Sequence, residues 1–182
     1  AHGHYYFDVR YPKDYPQSPP VFTYDTNDGY TRFNPNLYKN GKVCISVLNT
    51  WRGDQWSPCQ TITSILLSVC SVLNDKPLLN EPGLRETNID FQKYNKTIAY
   101  KNYSVGIVQM LESEYIKDKY VGLYETSIKV FLKNYKSIIE NLDKRKDDVP
   151  HIITTQVYNM QTKIDYKKTR EDIERLYKEL KN

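Results

Sequence analysis

Residues 32–46 read RFNPNLYKNGKVCIS, a stretch that combines a tight-turn dipeptide with two chemically useful side chains. Asn40-Gly41 favours a two-residue turn with positive φ, so the flanking residues are predicted to run as neighbouring extended segments. The chain reversal brings the thiol of Cys44 back towards the side-chain amide of Asn36. We therefore predict that Cys44 and Asn36 share one site.

A thiol beside an amide is suited to acyl transfer. A Cys nucleophile passes through a tetrahedral oxyanion, and a neutral amide N–H can donate a hydrogen bond to that charge. The spacing leaves a second interpretation open, because a single Cys in an apolar strand is often a small buried hydrophobe. A catalytic Cys44 requires an open groove above the sulfur, so a sulfur sealed in the core would count against catalysis.

The motif resembles the active-site signature of ubiquitin-conjugating enzymes. In that signature a His-Pro-Asn tripeptide precedes the catalytic Cys by this spacing, and Asn34-Pro35-Asn36, Tyr38, Asn40-Gly41 and Cys44 are similar to it. Further family motifs lie in family order on both sides of this signature, and the resemblance covers residues 4 to about 135. They are YPKDYP at 11–16, PPV at 19–21, WSP at 56–58, the segment 61–73 and NEPG at 80–83.

Two departures from the family pattern narrow the resemblance. Asn34 stands where the family has His, and residues 49–55 lengthen the connection between Cys44 and Trp56. With NEPG, these features resemble the conjugating domains of BRUCE (apollon) and of other very large hybrid conjugating enzyme-ligases. The family's domain also opens with a helix and a strand that would precede Ala1, so we expect those residues to be missing from this sequence.

The resemblance implies an α+β fold, a UBC-like antiparallel β-meander packed against helices. It implies an N-terminally incomplete catalytic core at residues 1–118, and apolar stripes at helical spacing predict a C-terminal helical hairpin extension at residues 119–182. Alternation predicts strands within residues 4–11 and at 21–24. The prolines of residues 12–20 exclude a helix, and Tyr15-Pro16 is a candidate for a cis peptide bond.

Apolar repeats at helical spacing predict the helices. The first follows Pro58 and is expected to lie in the core together with Cys70; a second covers residues 88–111. Two long helices follow, the latter beginning at Pro150, and we expect them to pair as a hairpin, with a coiled-coil or partner-binding arm as the alternative. Their stripes are Ile128, Phe131, Tyr135, Ile138 and Leu142, then Ile153, Val157, Met160, Ile164, Ile173, Tyr177 and Leu180.

The resemblance also implies roles for individual side chains. Cys44 would take the ubiquitin C-terminus from an activating enzyme as a thioester and pass it to a lysine amine. Asn36 would hold the oxyanion or brace the loop, two roles that the sequence does not separate. Asn34, Tyr38 and Trp51 belong to the active-site loop. Trp51 is either a lid over the thiol or an anchor for residues 49–55, and we favour the anchor because large aromatic side chains usually serve packing.

The loop at residues 75–83 faces the active site in the family. Glu81, with Asn80 and Asp75, is therefore a candidate to orient or deprotonate the incoming lysine amine, since a nearby acceptor assists proton loss. The alternative is that Glu81 is an ordinary solvated acid.

Composition limits the remaining functions. The 182 residues suit one domain with an appendage, and their net charge of +4 does not indicate a nucleic-acid partner. Three Cys without paired metal-ligand spacing indicate free thiols in a reducing compartment, the cytoplasm or the nucleus. The longest apolar run, at residues 62–73, is too short to cross a bilayer, so no membrane association is expected.

The thioester chemistry needs no metal and no organic cofactor, and ATP is used by the activating enzyme. The implied partners are ubiquitin, the activating enzyme, a ubiquitin ligase and a protein acceptor. Three rivals stay open: a non-catalytic ubiquitin-binding scaffold, a thiol hydrolase, and a conjugating enzyme for a ubiquitin-like modifier. The scaffold is disfavoured by the presence of Cys44, and the hydrolase by the lack of a motif linking any His to that thiol.

Overall fold

A computed structural model describes residues 2–145 and 148–181. The chain divides into two compact units, one at Tyr5–Asn95 and the other formed by residues 2–4 and the described residues from Lys96 onward. The elements are β1 Phe7–Arg10, β2 Val21–Tyr24, α1 Ile62–Val72, α2 Phe91–Tyr103, α3 Met110–Glu112, α4 Glu114–Lys119, α5 Val121–Asp143, β3 His151–Thr155, β4 Met160–Ile164 and α6 Tyr166–Lys181.

The first unit contains an antiparallel sheet. Strands β1 and β2 pair with Phe7 opposite Tyr24 and Arg10 opposite Val21. Single bridges extend the pairing from Thr23 to Lys42 and from Val43 to Leu37. The chain therefore forms a short meander of β1, β2 and two extended segments, which agrees with the predicted fold class. Tyr15-Pro16 is cis, as predicted.

The turn before Cys44 is tight but one residue longer than predicted. Tyr38 N donates to Lys42 O at 2.9 Å and Gly41 N donates to Tyr38 O at 2.9 Å, so residues 39–41 form the loop. Gly41 has a φ of 87°, and a Cβ there would lie 3.0 Å from Thr23 Cγ2. Glycine is needed here both for the left-handed conformation and for the close approach to β2.

Helix α1 is confirmed, but only one side of it is buried. Thr61 caps its start through a capping box with Ser64, so the helix begins at Ile62 rather than in the turn after Pro58. Ile65 and Val69 are buried, whereas Leu66 is 47% exposed. Cys70 is also exposed, so the prediction that it lies in the core is wrong. Helical spacing marks an apolar side but does not show how much of that side is covered.

The predicted helix at residues 88–111 is present as three consecutive pieces. Helix α2 continues into a π-helix at Ser104–Gln109 and then into α3. In the second unit, His4 N donates to the carbonyl of Gly106 at 2.7 Å. The π-helix therefore holds the N-terminal residues of that unit.

The two C-terminal helices pair in antiparallel fashion, as predicted. The rings of Tyr135 on α5 and Tyr177 on α6 stack with centroids 3.7 Å apart. Oδ1 of Asp143, at the end of α5, lies 2.8 Å from Nε of Arg170, near the start of α6. The order of these contacts along each helix shows that the helices run in opposite directions.

The prediction that the second of these helices begins at Pro150 is wrong. Residues 151–164 instead form an antiparallel hairpin of β3 and β4, with His151 opposite Ile164 and Thr155 opposite Met160. Met160, Thr162 and Ile164 are buried in alternation. Positions four apart share a face in a strand as well as in a helix, so the apolar spacing of Met160 and Ile164 fitted both.

Within the described ranges, every helix is too short or too polar to pass through a lipid bilayer. The division at Asn95 separates packing units, and the predicted functional boundary at residue 118 stays a prediction.

Candidate active site

The predicted proximity of Cys44 and Asn36 is confirmed. Cys44 N donates to Asn36 O at 2.8 Å. In return, the side-chain Nδ2 of Asn36 donates to Cys44 O at 2.7 Å. Because the amide points at the backbone of Cys44, this geometry favours the bracing role of Asn36 over the oxyanion role.

The sulfur of Cys44 is covered. The residue is 2% exposed, and its Sγ donates to the backbone carbonyl of Thr50 at 2.7 Å. The expected open groove above the sulfur is therefore absent from this conformation of the described chain. The atom that lies against the sulfur belongs to residues 49–55, which we call the insertion.

The side chain of Thr50 holds the insertion to both neighbours of Cys44. Its Oγ1 accepts a hydrogen bond from Ile45 N at 3.0 Å. The same hydroxyl lies 2.9 Å from Val43 O and 3.0 Å from Ile45 O, so its single hydrogen is shared between these two carbonyls. Sequence reasoning missed Thr50, because a threonine in a polar loop carries no signal that its backbone will reach a thiol.

The rest of the insertion is a loop tied to itself. Asn49 adopts a left-handed conformation, with a φ of 56°, and its Oδ1 accepts from Trp56 N at 2.8 Å. The amide of Gln55 donates to the carbonyls of Trp51 and Gly53 at 3.0 and 3.1 Å. Trp51 is 41% exposed, so its ring is partly covered, and the choice between lid and anchor stays a prediction. The described lid contact on the thiol comes from the backbone of Thr50.

A groove of about 600 Å³ borders the insertion. It runs between the insertion and Pro82 of the NEPG loop, and the role expected of this loop in the site stays a prediction. Its lining residues are Asn49, Thr50, Trp51, Arg52, Gln55 and Pro82.

A network of asparagines supports the tripeptide from below. Asn34 is buried; its Nδ2 donates to Val72 O at 2.7 Å, and its Oδ1 accepts from Asn36 N at 2.9 Å. Asn80 donates to the same Val72 carbonyl at 2.8 Å and lies 3.3 Å from Asn34 Oδ1. Asn34 therefore ties the end of α1 to the active-site turn, in the position where the family carries His.

The three candidates for orienting or deprotonating the acceptor lysine, Asn80, Glu81 and Asp75, lie in different surroundings. The amide of Asn80 is engaged in the asparagine network. Glu81 follows the 3-10 helix Pro77–Asn80 and is half-buried, whereas Asp75 is exposed. A role for these three residues in orienting or deprotonating an amine stays a prediction.

Tyr38 packs rather than pointing a reactive group at the thiol. The guanidinium carbon of Arg32 lies 3.5 Å from the centroid of the Tyr38 ring. The backbone of Arg32 is fixed from α2, because Tyr94 Oη donates to Arg32 O at 2.6 Å.

The described residues contain no cluster of three or more His, Cys, Asp or Glu side chains that could hold a metal ion. The three cysteines are free, and Cys59 and Cys70 are exposed. Cys44 is therefore the thiol that the tripeptide and the insertion enclose.

Comparison with known proteins identifies related chains. Residues 1–113 match the sequence profile of a family described as "Ubiquitin-conjugating enzyme". The "Ubiquitin-conjugating enzyme E2 Z" of Danio rerio is 36% identical over 182 residues, covering 98% of this chain and 53% of that protein. The human protein of the same name is 42% identical over 115 residues, covering 62% of this chain and 32% of that protein.

A hybrid enzyme is also related, as the NEPG loop and the insertion suggested. The human "Dual E2 ubiquitin-conjugating enzyme/E3 ubiquitin-protein ligase BIRC6" is 48% identical over 89 residues, covering 46% of this chain and 2% of that protein. The chain thus spans at most 53% of the length of these curated relatives.

Proposed function

The chain belongs to the ubiquitin-conjugating enzyme family, and on this basis we propose that it carries ubiquitin as a thioester on Cys44 and transfers it to a lysine. The observation that supports this proposal is the reciprocal pairing of Cys44 and Asn36 within the family motif. The pairing sets the backbone of the nucleophile against a buried carboxamide.

Loading is a thioester exchange. The thiol of Cys44 gives up its proton, and Sγ attacks the carbonyl carbon of the ubiquitin C-terminus on the activating enzyme. A new carbon–sulfur bond forms while the bond to the activating enzyme's sulfur breaks, and that sulfur takes up a proton. Transfer repeats the exchange with a lysine amine, which forms the amide, loses a proton and releases the thiol of Cys44.

The neighbouring residues would position these atoms. The side chain of Asn36 braces Cys44 by donating to the Cys44 carbonyl. The side chain of Asn34 accepts from the backbone N–H of Asn36 and donates to the carbonyl of Val72 at the end of α1. Glu81, on the loop that lines the groove, would accept the proton of the lysine amine or orient it. The chemistry asks for no cofactor on this chain, and ATP is consumed by the activating enzyme.

The proposed partners are ubiquitin, its activating enzyme, a ubiquitin ligase and a protein acceptor, in the cytoplasm or the nucleus. A ubiquitin-like modifier in place of ubiquitin would use the same thiol and the same exchange. Repeating the loading assay with each modifier separates the two.

The test is a loading assay on a gel run without reductant. With activating enzyme, ATP and ubiquitin, we expect a shifted band that a thiol reductant reverses. Cys44→Ser should give a shifted band that resists reductant, because an oxygen ester replaces the thioester, and Cys44→Ala should give none. The control is the double variant Cys59→Ser, Cys70→Ser, which should load normally because both thiols are exposed and outside the site.

Three outcomes would overturn the proposal. A Cys44→Ala chain that still builds ubiquitin conjugates would remove the nucleophile from the mechanism. A chain that binds ubiquitin without any shift would be a scaffold. A chain that cleaves ubiquitin thioesters or amides without ATP would be a hydrolase.

A further inference from the structure

We propose that the insertion, residues 49–55, is a gate over Cys44 that Thr50 holds closed and that opens before the thiol is acylated. The purpose of this gate rests on the proposed function. The gate itself is a statement about access to one sulfur, so it can be tested without ubiquitin.

The closed form blocks the approach that acylation needs. The carbonyl oxygen of Thr50 lies 2.7 Å from Cys44 Sγ. A reacting carbonyl carbon must reach about 3–3.5 Å from the sulfur. The Thr50 carbonyl oxygen and the incoming carbonyl carbon therefore compete for the same position beside the sulfur. The Thr50 oxygen also accepts the proton that the thiol must give up. Thioester formation therefore requires Thr50 to move away.

Three contacts hold the gate closed around Cys44. The hydroxyl of Thr50 accepts from Ile45 N and reaches the carbonyls of Val43 and Ile45, all within 3.0 Å. Because these residues flank Cys44, the hydroxyl sets the carbonyl of Thr50 over the sulfur between them. Loss of the hydroxyl would loosen the cover while leaving its backbone carbonyl in the chain.

The insertion is exposed along most of its length and is followed by a fixed residue, Trp56. Trp56 is buried, and its Nε1 donates to Pro16 O at 2.8 Å. Residues 51–55 are exposed, and Gln55 ties two carbonyls within the loop. Gly53 has a φ of 128°, and a Cβ there would lie 3.1 Å from Ser46 Cβ. Only glycine fits that closed geometry, so a side chain at position 53 displaces the loop.

The experiment measures alkylation of Cys44 by iodoacetamide in the full chain. The parent carries Cys59→Ser and Cys70→Ser, and the modified peptide is quantified by mass spectrometry at successive times. The reference is a chain that retains only the exposed Cys59. Because a covered thiol reacts only through local opening, we expect Cys44 to react at least about tenfold more slowly than Cys59.

Variants of the gate should raise that rate. Thr50→Val, which keeps the shape and loses the hydroxyl bonds, should speed alkylation of Cys44 about tenfold. Thr50→Ser retains the hydroxyl and should react close to the parent rate. Gly53→Ala should also speed alkylation. Its matched control is Gly29→Ala, another left-handed glycine with φ 74° and nothing within 4 Å of the added Cβ, which should leave the rate unchanged.

Two results would overturn the gate. The first is a parent chain in which Cys44 reacts as fast as Cys59, and this comparison needs no loop variant to fold. The second is a folded Gly53→Ala chain, checked by circular dichroism, with the parent rate. If ubiquitin loads normally in that second case, the gate fails and the proposed function stands. If the loop variants expose Cys44 but no chain loads ubiquitin, the proposed function fails and the gate remains.

Discussion

The side chain of Asn36 is committed to the backbone of the residue that it was expected to assist. Its Nδ2 donates to Cys44 O at 2.7 Å, while its buried Oδ1 has no hydrogen-bond partner among the described residues. A buried carboxamide in this position fixes the path of the chain at the nucleophile. Its removal should therefore affect both stability and catalysis.

We expect Asn36→Ala to lower the free energy of unfolding by about 1–3 kcal/mol, because the carbonyl of Cys44 loses its buried donor. Because Asn36 braces the backbone of the nucleophile that acts in both steps, the substitution should slow loading and transfer to a similar extent. Thermal unfolding measures the first effect, and single-turnover loading and discharge assays measure the second. Slowing confined to transfer would contradict the bracing role.

Tyr24 carries a second unpaired polar atom. The residue is 1% exposed, and its hydroxyl has no hydrogen-bond partner among the described residues. Burial, with smaller contributions from Tyr5, Asp28 and Tyr94, raises the pKa of Tyr24 well above its usual value. The ring is needed in the core, but the hydroxyl is desolvated without compensation.

We expect Tyr24→Phe to raise the free energy of unfolding by about 1 kcal/mol, since it removes an unsatisfied buried hydroxyl and keeps the ring. The control is Tyr30→Phe at a residue that is 78% exposed, which should change nothing. Chemical denaturation of the three chains measures the difference. A less stable Tyr24→Phe chain would show that the hydroxyl has a stabilising partner.

Among the elements, the π-helix at Ser104–Gln109 depends on a close approach of backbones. The carbonyl of Gly106 accepts from His4 N at 2.7 Å. A Cβ on Gly106 would lie 3.2 Å from the Cα of Gly3. Glycine at both positions lets the N-terminal residues lie directly on the helix.

We expect Gly106→Ala to cost about 1–3 kcal/mol of stability, because the added methyl would lie 3.2 Å from Gly3 Cα and must displace residues 2–4 slightly from the helix. Gly122→Ala on α5 is the matched control, since nothing lies within 4 Å of its added Cβ. Alanine there should stabilise by up to about 1 kcal/mol through helix propensity. Thermal unfolding of both variants is the measurement, and a shift of the same sign in both would contradict the close-approach argument.

For the whole molecule, stability should depend on pH through His4. Burial lowers the pKa of His4 below its usual 6.5. Between that lowered value and 6.5, the unfolded chain binds the proton more readily than the folded chain. The contribution of His4 is therefore present in full above pH 6.5 and is lost as the pH falls through the lowered folded-state pKa.

Replacing His4 by Gln should reduce the loss of stability between about pH 7.5 and about pH 5.5, because the titrating group is gone. The control is His151→Gln at an exposed position, which should keep the dependence of the parent. Chemical denaturation at both pH values gives the four free energies for each comparison. An unchanged slope in the His4→Gln chain would rule out this origin.

Much of the molecule could be predicted from local sequence. The strand at Val21–Tyr24, the long helix α5 and the return of Cys44 to Asn36 follow from side-chain periodicity and from the glycine that a tight turn needs. The family motif then followed from the order of short segments, and the comparisons confirmed it. These features depend on residues that are close together in the chain, so they can be predicted from the amino-acid sequence alone.

What the sequence left undetermined was decided by contacts between distant or ambiguous residues. Spacing of four fits a strand and a helix alike, and only the pairing of β3 with β4 selected the hairpin. The exposed side of α1 depended on what packs against it. The cover on Cys44 is made by a backbone carbonyl, a group that every residue carries and that no side-chain pattern can single out. Only the tertiary structure could show that it is the carbonyl of Thr50.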